Sequence, residues 1–233
     1  MANLIISFCT LERCIVSKVD SRSLEKDIDS GKELETVEYP ESWNPPTLHA
    51  TDVYKTPLSN IFQKNMLLRE VELKIKIFGP SVHIVSPSLF KNEEIKKFRQ
   101  YAKVKKCSYL HFGGIRIGLA PLFRHGLNTP CIVEVFDTQH HNYDHARICT
   151  IVSNLSTGCQ YGTIFSDYYI SLIDHHLKGY WKLMVGVQGL QMVDNSEFLS
   201  TMIQTSFHLT NIVHPKLKQP VLKDCVSVGL NNV

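Results

Sequence analysis

The chain lacks a strong excess of charge of either sign: 25 lysines and arginines face 22 aspartates and glutamates, for a formal net charge of +3. Bulk charge therefore neither demands nor excludes a polyanionic partner, and any such surface must arise from clustering. A membrane-length apolar run is also missing. The uncharged stretch Ile148 to Ser166 is broken by Asn154, Gly158, Gln160 and Gly162, too polar a mixture for a bilayer-spanning helix. Met1 to Val19 has neither the basic opening nor the small-residue cleavage site of a secretory leader, so no export signal is expected there. The seven cysteines are odd in number, scattered and without a Cys-x-x-Cys pair, which argues against a disulfide framework and for a reducing compartment.

Catalytic and cofactor motifs are equally scarce. No Gly-x-Ser-x-Gly elbow occurs. Gly113-Gly114 sits inside a strand pattern and is not followed by Gly-Lys-Ser/Thr, so it reads as a β-bulge or a close backbone approach, not as a phosphate loop. His140, His141 and His145 beside Asp144, and His175 and His176 beside Asp174, lack convincing ligand spacing and read as polar loops. Neither a metal nor a cofactor is expected, and Cys131 reads as a buried structural thiol.

What is present is β-type patterning. A chain of 233 residues, 43% hydrophobic and 20% charged, suits one domain with a sizeable core. In Val71 to Ile77 the apolar residues alternate with Glu72, Lys74 and Lys76, the period of a half-buried strand. Gly79-Pro80 then predicts a turn, with Ser81 to Val85 returning as a hairpin. Short strands are expected at Tyr109–Leu119, Cys131–Phe136, Arg147–Val152, Tyr161–Phe165, Tyr168–Ile173 and Tyr180–Val187. No helical crossovers separate them, so an all-β, antiparallel sandwich or jelly roll follows. The expected division is an irregular, proline-bearing arm over 1–55, a β core over 56–192 and a C-terminal extension over 193–233. Glu197 to His208 fits helix and strand equally, because Leu199, Ile203 and Phe207 have helical spacing while Thr201 and Thr205 favour extended chain.

One helix is expected between Pro87 and Lys106, where Ile95, Phe98 and Ala102 recur at helical spacing, Asn92 can cap the start and Glu93 and Glu94 suit the positive end of the dipole. It concentrates cations: Lys96, Lys97, Arg99, Lys103, Lys105 and Lys106, with Arg116 and Arg124 just beyond. Such a cluster attracts phosphates by charge neutralisation and counterion release, a force blind to base sequence. Lys74 and Lys76 are candidates to extend it, and Tyr101 or Tyr109 to stack on unpaired bases. The simpler reading is the solvated face of an amphipathic helix.

Tyr109-Leu110-His111-Phe112-Gly113-Gly114-Ile115-Arg116-Ile117 strongly resembles the signature strand of plant-virus cell-to-cell movement proteins, particularly those of caulimovirus-like pararetroviruses. The likeness continues in order through Gly126-Leu127-Asn128-Thr129-Pro130, the strand ending at Asp137, the tyrosine-containing loop at Tyr143 and the turn Asn154-Leu155-Ser156-Thr157-Gly158. Asp137 matches the family's hallmark aspartate, and Gly113, Gly126 and Gly158 its glycines. Gln139-His140 departs from the arginine-aromatic pair that often follows that aspartate. The resemblance implies a jelly-roll-like core, sequence-tolerant binding of single-stranded RNA or DNA, transport through plasmodesmata with a cytoplasmic pool, and no reaction. It also implies self-association and, as further partners, viral coat protein and plasmodesmal host proteins. Unpaired strand edges would serve self-association, but the sequence does not say which. A strand-end carboxylate such as Asp137 is expected to hold the following loop. The rival readings are a jelly-roll capsid protein and, more remotely, a metal-dependent hydrolase using the histidine-rich loops.

Overall fold

The structure, a computed structural model, describes residues 43, 45–55, 66–76, 82–85, 89–90, 92–123, 126–173, 181–190, 196–211 and 217–230. In chain order the elements are α1 (Ala50–Val53), β1 (Met66–Lys76), β2 (Val82–Val85), α2 (Asn92–Lys105), β3 (Tyr109–Pro121), β4 (Pro130–Asp137), α3 (Tyr143–Ala146), β5 (Arg147–Asn154), β6 (Gln160–Ser171), β7 (Trp181–Gln188), β8 (Glu197–Thr210), β9 (Asp224–Val226) and β10 (Val228–Gly229). One sheet runs β1-β8-β3-β6-β10 and the other β2-β7-β4-β5-β9. Strand pairs β1·β8, β2·β7, β3·β6 and β4·β5 are all antiparallel, as if one long hairpin had been rolled up. That winding is the double Greek key of a jelly roll, one of the two arrangements the strand pattern allows and the one the family resemblance implies. The parallel partner is β9, which lies along β5.

Local expectations change at β2, over 161–173 and at the start of the helix, and residues 197–208 take one of the two forms that their sequence fits. Val82–Val85 does not fold back on β1: it pairs with β7 in the other sheet, since a rolled hairpin sends successive strands to opposite layers. The two strands expected over 161–173 are one, β6, interrupted by a register shift opposite Gly113. Phe112 faces Tyr168 and Gly114 faces Phe165, so Ser166 and Asp167 mark a bulge and not a strand end. Residues 197–208 are extended, and β8 sits between β1 and β3 in the middle of the first sheet. The body thus continues past Leu190. The helix begins at Asn92 itself, so this residue is the first of α2. The Gly79-Pro80 turn, Arg124, and the cluster at Asp174, His175 and His176 lie outside the described residues, as do Cys9, Cys14 and most of the N-terminal arm.

The core lies between the sheets. Leu73, Phe112, Ile117, Val133, Ile151, Leu183 and Phe207 meet there, each almost fully buried. At roughly 1.5–3 kcal/mol for each large apolar side chain, this layer is the main source of stability. Helix α2 plugs one open end, where Phe98 packs 5.6 Å from Phe207, and Phe112 stands edge-on to Trp181 at 4.8 Å.

The outer face of the first sheet is covered by the chain itself. Trp43 and residues 45–55 lie over β3 as a strap, and β3 makes room by carrying glycine. A Cβ on Gly113 would stand 2.3 Å from the Tyr54 hydroxyl, one on Gly114 2.9 Å from Val53, and one on Gly118 3.0 Å from Pro45. Trp43, at the head of that strap, is buried against Ala120 and Met202. Leu48 N donates to Gln204 Oε1 at 2.9 Å, and Tyr54 Oη shares a 3.0 Å bond with His111 Nδ1, whose Nε2 meets Asp167 at 2.9 Å. The bulge and close approach expected at Gly113-Gly114 are both present.

Candidate nucleic-acid interface

Helix α2 is held in place by a buried ion pair. Arg69, on the core face of β1, donates through Nε to Glu94 Oε1 at 2.7 Å and through Nη2 to Glu94 Oε2 at 2.9 Å and to Leu89 O at 2.8 Å. Both residues are buried, so the pair replaces lost hydration with charge-assisted bonds in a fixed fork. Its signal was in the sequence: Glu94 shares the apolar helix face with Phe98 and Tyr101, and Arg69 shares the strand face of Val71 and Leu73.

With that face buried, the helix presents Lys96, Lys103 and Lys106 to solvent. Lys97, Arg99 and Lys105 are half-buried at its flanks. Arg99 Nε donates to Leu172 O at 3.1 Å, and the Lys105 ammonium lies 5.4 Å from the Tyr101 ring centroid. Lys106 adopts a positive φ of 54°, ending the helix so that the chain can enter β3. Beside these cations stand three exposed apolar side chains, Val104, Tyr109 and Ile173, the last just past Leu172, whose N–H bonds Ser108 O at 2.9 Å. Of the two candidate stacking residues, Tyr109 is 37% exposed and Tyr101 only 8%. Of the two, Tyr109 alone stands open to solvent.

The structure does not bring the remaining cations to this surface. Arg116 lies on the outer face of the first sheet, donating to Pro46 O at 2.5 Å and Thr163 Oγ1 at 2.8 Å and covering the Tyr161 ring. Burial lowers its pKa from the usual value, with Tyr161 and Asp52 opposing. Lys74 and Lys76 stand further along β1, the former 3.7 Å from Glu197. Five residues of strand separate Lys74 from Arg69, about 17 Å.

The hallmark residues are also dispersed. Buried Asp137, at the helix end, accepts from Gln139 N at 2.9 Å and from the Tyr168 hydroxyl, so one carboxylate ties its own loop and the opposite sheet. Burial, and then Asp137 itself, raise the Tyr168 pKa and keep that phenol a donor. Gly126 and Gly158 lie at the other end, with φ of 90° and 91° that side chains rarely adopt. There Gly126 N donates to Ser156 O at 3.1 Å, Leu155 N to Thr129 O at 3.0 Å, and Asn154 Oδ1 accepts from Ser156 N at 3.1 Å. Gly113 lies under the strap. On the second sheet, Tyr143 Oη donates to buried Glu134 at 2.7 Å, and burial with that carboxylate pushes the phenol up to about 12. His140 and His145 have ring centroids 6.5 Å apart, and among the described residues no group of three His, Cys, Asp or Glu is arranged to hold a metal ion. Cys131 is buried, which pushes its thiol up to about 12. No described helix is long and apolar enough to cross a membrane.

Fold and site together define a double-sheet jelly roll presenting a cationic helix at one end. The chain belongs to the viral movement protein family: the family profile described as "Viral movement protein (MP)" matches residues 49–221. The match runs from α1 through β8 and stops short of β9 and β10. Two relatives are the genome polyproteins of Petunia vein clearing virus, isolates Shepherd and Hohn, each 27% identical over 113 residues. Those alignments cover 48% of this chain and 5% of either polyprotein, so the chain spans a small fraction of its curated relatives. Solved structures with a similar outline include Desmodium yellow mottle tymovirus, with 10% identity, a TM-score of 0.37 and coverage of 82% of this chain and 98% of that one. The Kashmir bee virus empty particle at acidic pH gives 12% identity and a TM-score of 0.37 over 73% and 89% of the two chains. The jelly-roll assignment rests on the strand order, not on these likenesses.

Proposed function

We propose that this chain carries viral genomes from cell to cell through plasmodesmata, gripping single-stranded RNA or DNA without strong sequence preference at the α2 end. Membership of the movement-protein family over residues 49–221 carries the transport reading. Supporting the binding reading is the surface of Lys96, Lys103 and Lys106 around exposed Tyr109, a combination of phosphate attraction and a stacking platform. Lys97, Arg99 and Lys105 flank it. The work is physical transport, not a reaction. Viral coat protein, plasmodesmal host proteins and further copies of the chain are its proposed partners, and the plasmodesma with a cytoplasmic pool is its proposed location.

Replacing Lys96, Lys103 and Lys106 together by glutamate abolishes retention of a fluorescent single-stranded oligonucleotide of mixed sequence in an anisotropy titration. In milder Lys→Gln variants the log–log salt slope becomes shallower by roughly 0.7 for each lost phosphate contact. Unchanged binding by the triple glutamate variant removes this surface from the proposal. A fluorescent fusion in leaf epidermis tests transport: puncta in walls shared by neighbouring cells and spread beyond the expressing cell are expected, and diffuse signal confined to that cell argues against it.

A further inference from the structure

The two sides of the sandwich are closed differently. Along the β5/β6 side the C-terminal residues return as extra strands: β9 on Thr150–Val152, and β10 on Gln160 and Tyr161, with Leu222 N bonding Phe165 O at 3.0 Å. On the opposite side the first sheet ends in β1. This strand of eleven residues pairs, among the described residues, only with β8. A long edge is a template for another strand unless its side chains prevent it.

The outward side chains of β1 have an order that decides which strand fits. Glu70, Glu72, Lys74 and Lys76 alternate with Val71, Leu73 and Ile75, which are buried in the core. Read backwards, the charge sequence is its own complement. An antiparallel partner of identical sequence, related by a two-fold axis normal to the sheet and midway between the two Leu73 residues, puts Glu70 opposite Lys76 and Glu72 opposite Lys74, twice over. Leu73 then faces Leu73, and Val71 faces Ile75, so core faces continue into core faces. Shifting the register by two residues sets Glu72 against Glu72 or Lys74 against Lys74, and shifting it by one turns every side chain to the wrong face. Parallel in-register pairing sets every charge against its like.

We infer that β1 is a homotypic docking edge, through which two copies of this chain join their first sheets into one continuous sheet about a two-fold axis at Leu73. The occupant is a second copy because the strand complements itself: a foreign strand would need the same reversed charge order. Lysines on an edge ordinarily repel added strands. Here each lysine has a glutamate placed to meet it. Ser200 Oγ donates to Glu72 at 2.6 Å, Glu70 bonds Gln204 and Lys74 lies 3.7 Å from Glu197, contacts with β8 that keep these side chains on the outer face of the sheet.

This inference deepens the self-association in the proposed function, and its test is separable from the nucleic-acid surface, since β1 contributes none of the exposed helix lysines. The masses of four forms of the full chain are compared by sedimentation equilibrium: wild type, E70K/E72K, K74E/K76E, and the fourfold exchange E70K/E72K/K74E/K76E. Wild type is expected at twice 26.6 kDa. Each double variant associates at least about a hundredfold more weakly, having four like-charge pairs in place of four opposite ones. The fourfold exchange restores the dimer, and an equimolar mixture of the two double variants forms a heterodimer. Thermal melts confirm that each form is folded, and because the exchange and the mixture regain association, damage to the monomer cannot mimic the pattern. A monomeric wild type overturns the inference. So does a dimer that persists in both double variants, or an association that neither the exchange nor the mixture restores. Oligonucleotide binding by the same variants reports independently on α2.

Discussion

The two ends of the sandwich are fastened by different chemistry. At the helix end the ties are charged and buried: Arg69 to Glu94 across the entry of α2, and Asp137 to Tyr168 across the two sheets. At the turn end they are neutral, a mesh of backbone bonds and the amides of Asn154 and Asn128, with positive-φ glycines at the corners. A neutral mesh suffices where a turn need only reverse direction. Where a cationic helix must be fixed in orientation, a bidentate ion pair adds direction as well as attachment.

The comparison can be broken most severely at Glu94. Glu94→Ala leaves the Arg69 guanidinium buried without its counter-charge and is expected to cost about 3–5 kcal/mol, read by chemical denaturation. The double variant Arg69→Met/Glu94→Leu is expected to recover much of that stability, because no charge is then buried alone. Next is Asp137→Ala, expected to cost about 1–3 kcal/mol by stranding the Tyr168 hydroxyl and Gln139 N–H. At the other end, Asn154→Ala is expected to cost about 1 kcal/mol, since solvent replaces part of what the exposed amide supplied. The smallest effect concerns buried His208, whose ring centroid lies 5.6 Å from that of Tyr54, with His111 and Asp167 beyond. Burial lowers its pKa below the ordinary 6.5, so the unfolded chain takes up a proton before the folded one does. Stability is therefore present above 6.5 and falls as pH drops from there toward the folded value. His208→Gln is expected to flatten that part of the Tm-versus-pH curve.

Much of this was legible from residue order. Strands β1, β3, β4, β5 and β7 alternate or are bounded by turn residues, and α2 has three apolar residues at helical spacing. β8 was not legible, because every residue from Phe198 to Thr210 is buried and its polar residues fall on both faces: Ser200, Gln204 and Ser206 on the outer face, Thr201 and Thr205 among Leu199, Ile203 and Phe207 on the core face. The partner of β2 was hidden for another reason. Gly79-Pro80 signals a reversal, but a local signal cannot say that the returning strand crosses to the other layer. At the candidate site the cluster of lysines was plain, yet its division was not: Arg116 is removed by strand geometry and a contact with Pro46, seventy positions away. Tyr101 and Tyr109 differ only in which side of a helix end or strand they occupy.

The rolled winding also has a cost in time. Met66 lies against His208, so β1 finds its native neighbour only when β8 has been made. At ordinary translation speed that interval is roughly 7 to 30 seconds. Throughout it a strand of alternating valine, leucine and isoleucine waits without β8, its partner among the described residues, and so slow, long-range closure favours the company of chaperones or of another nascent copy.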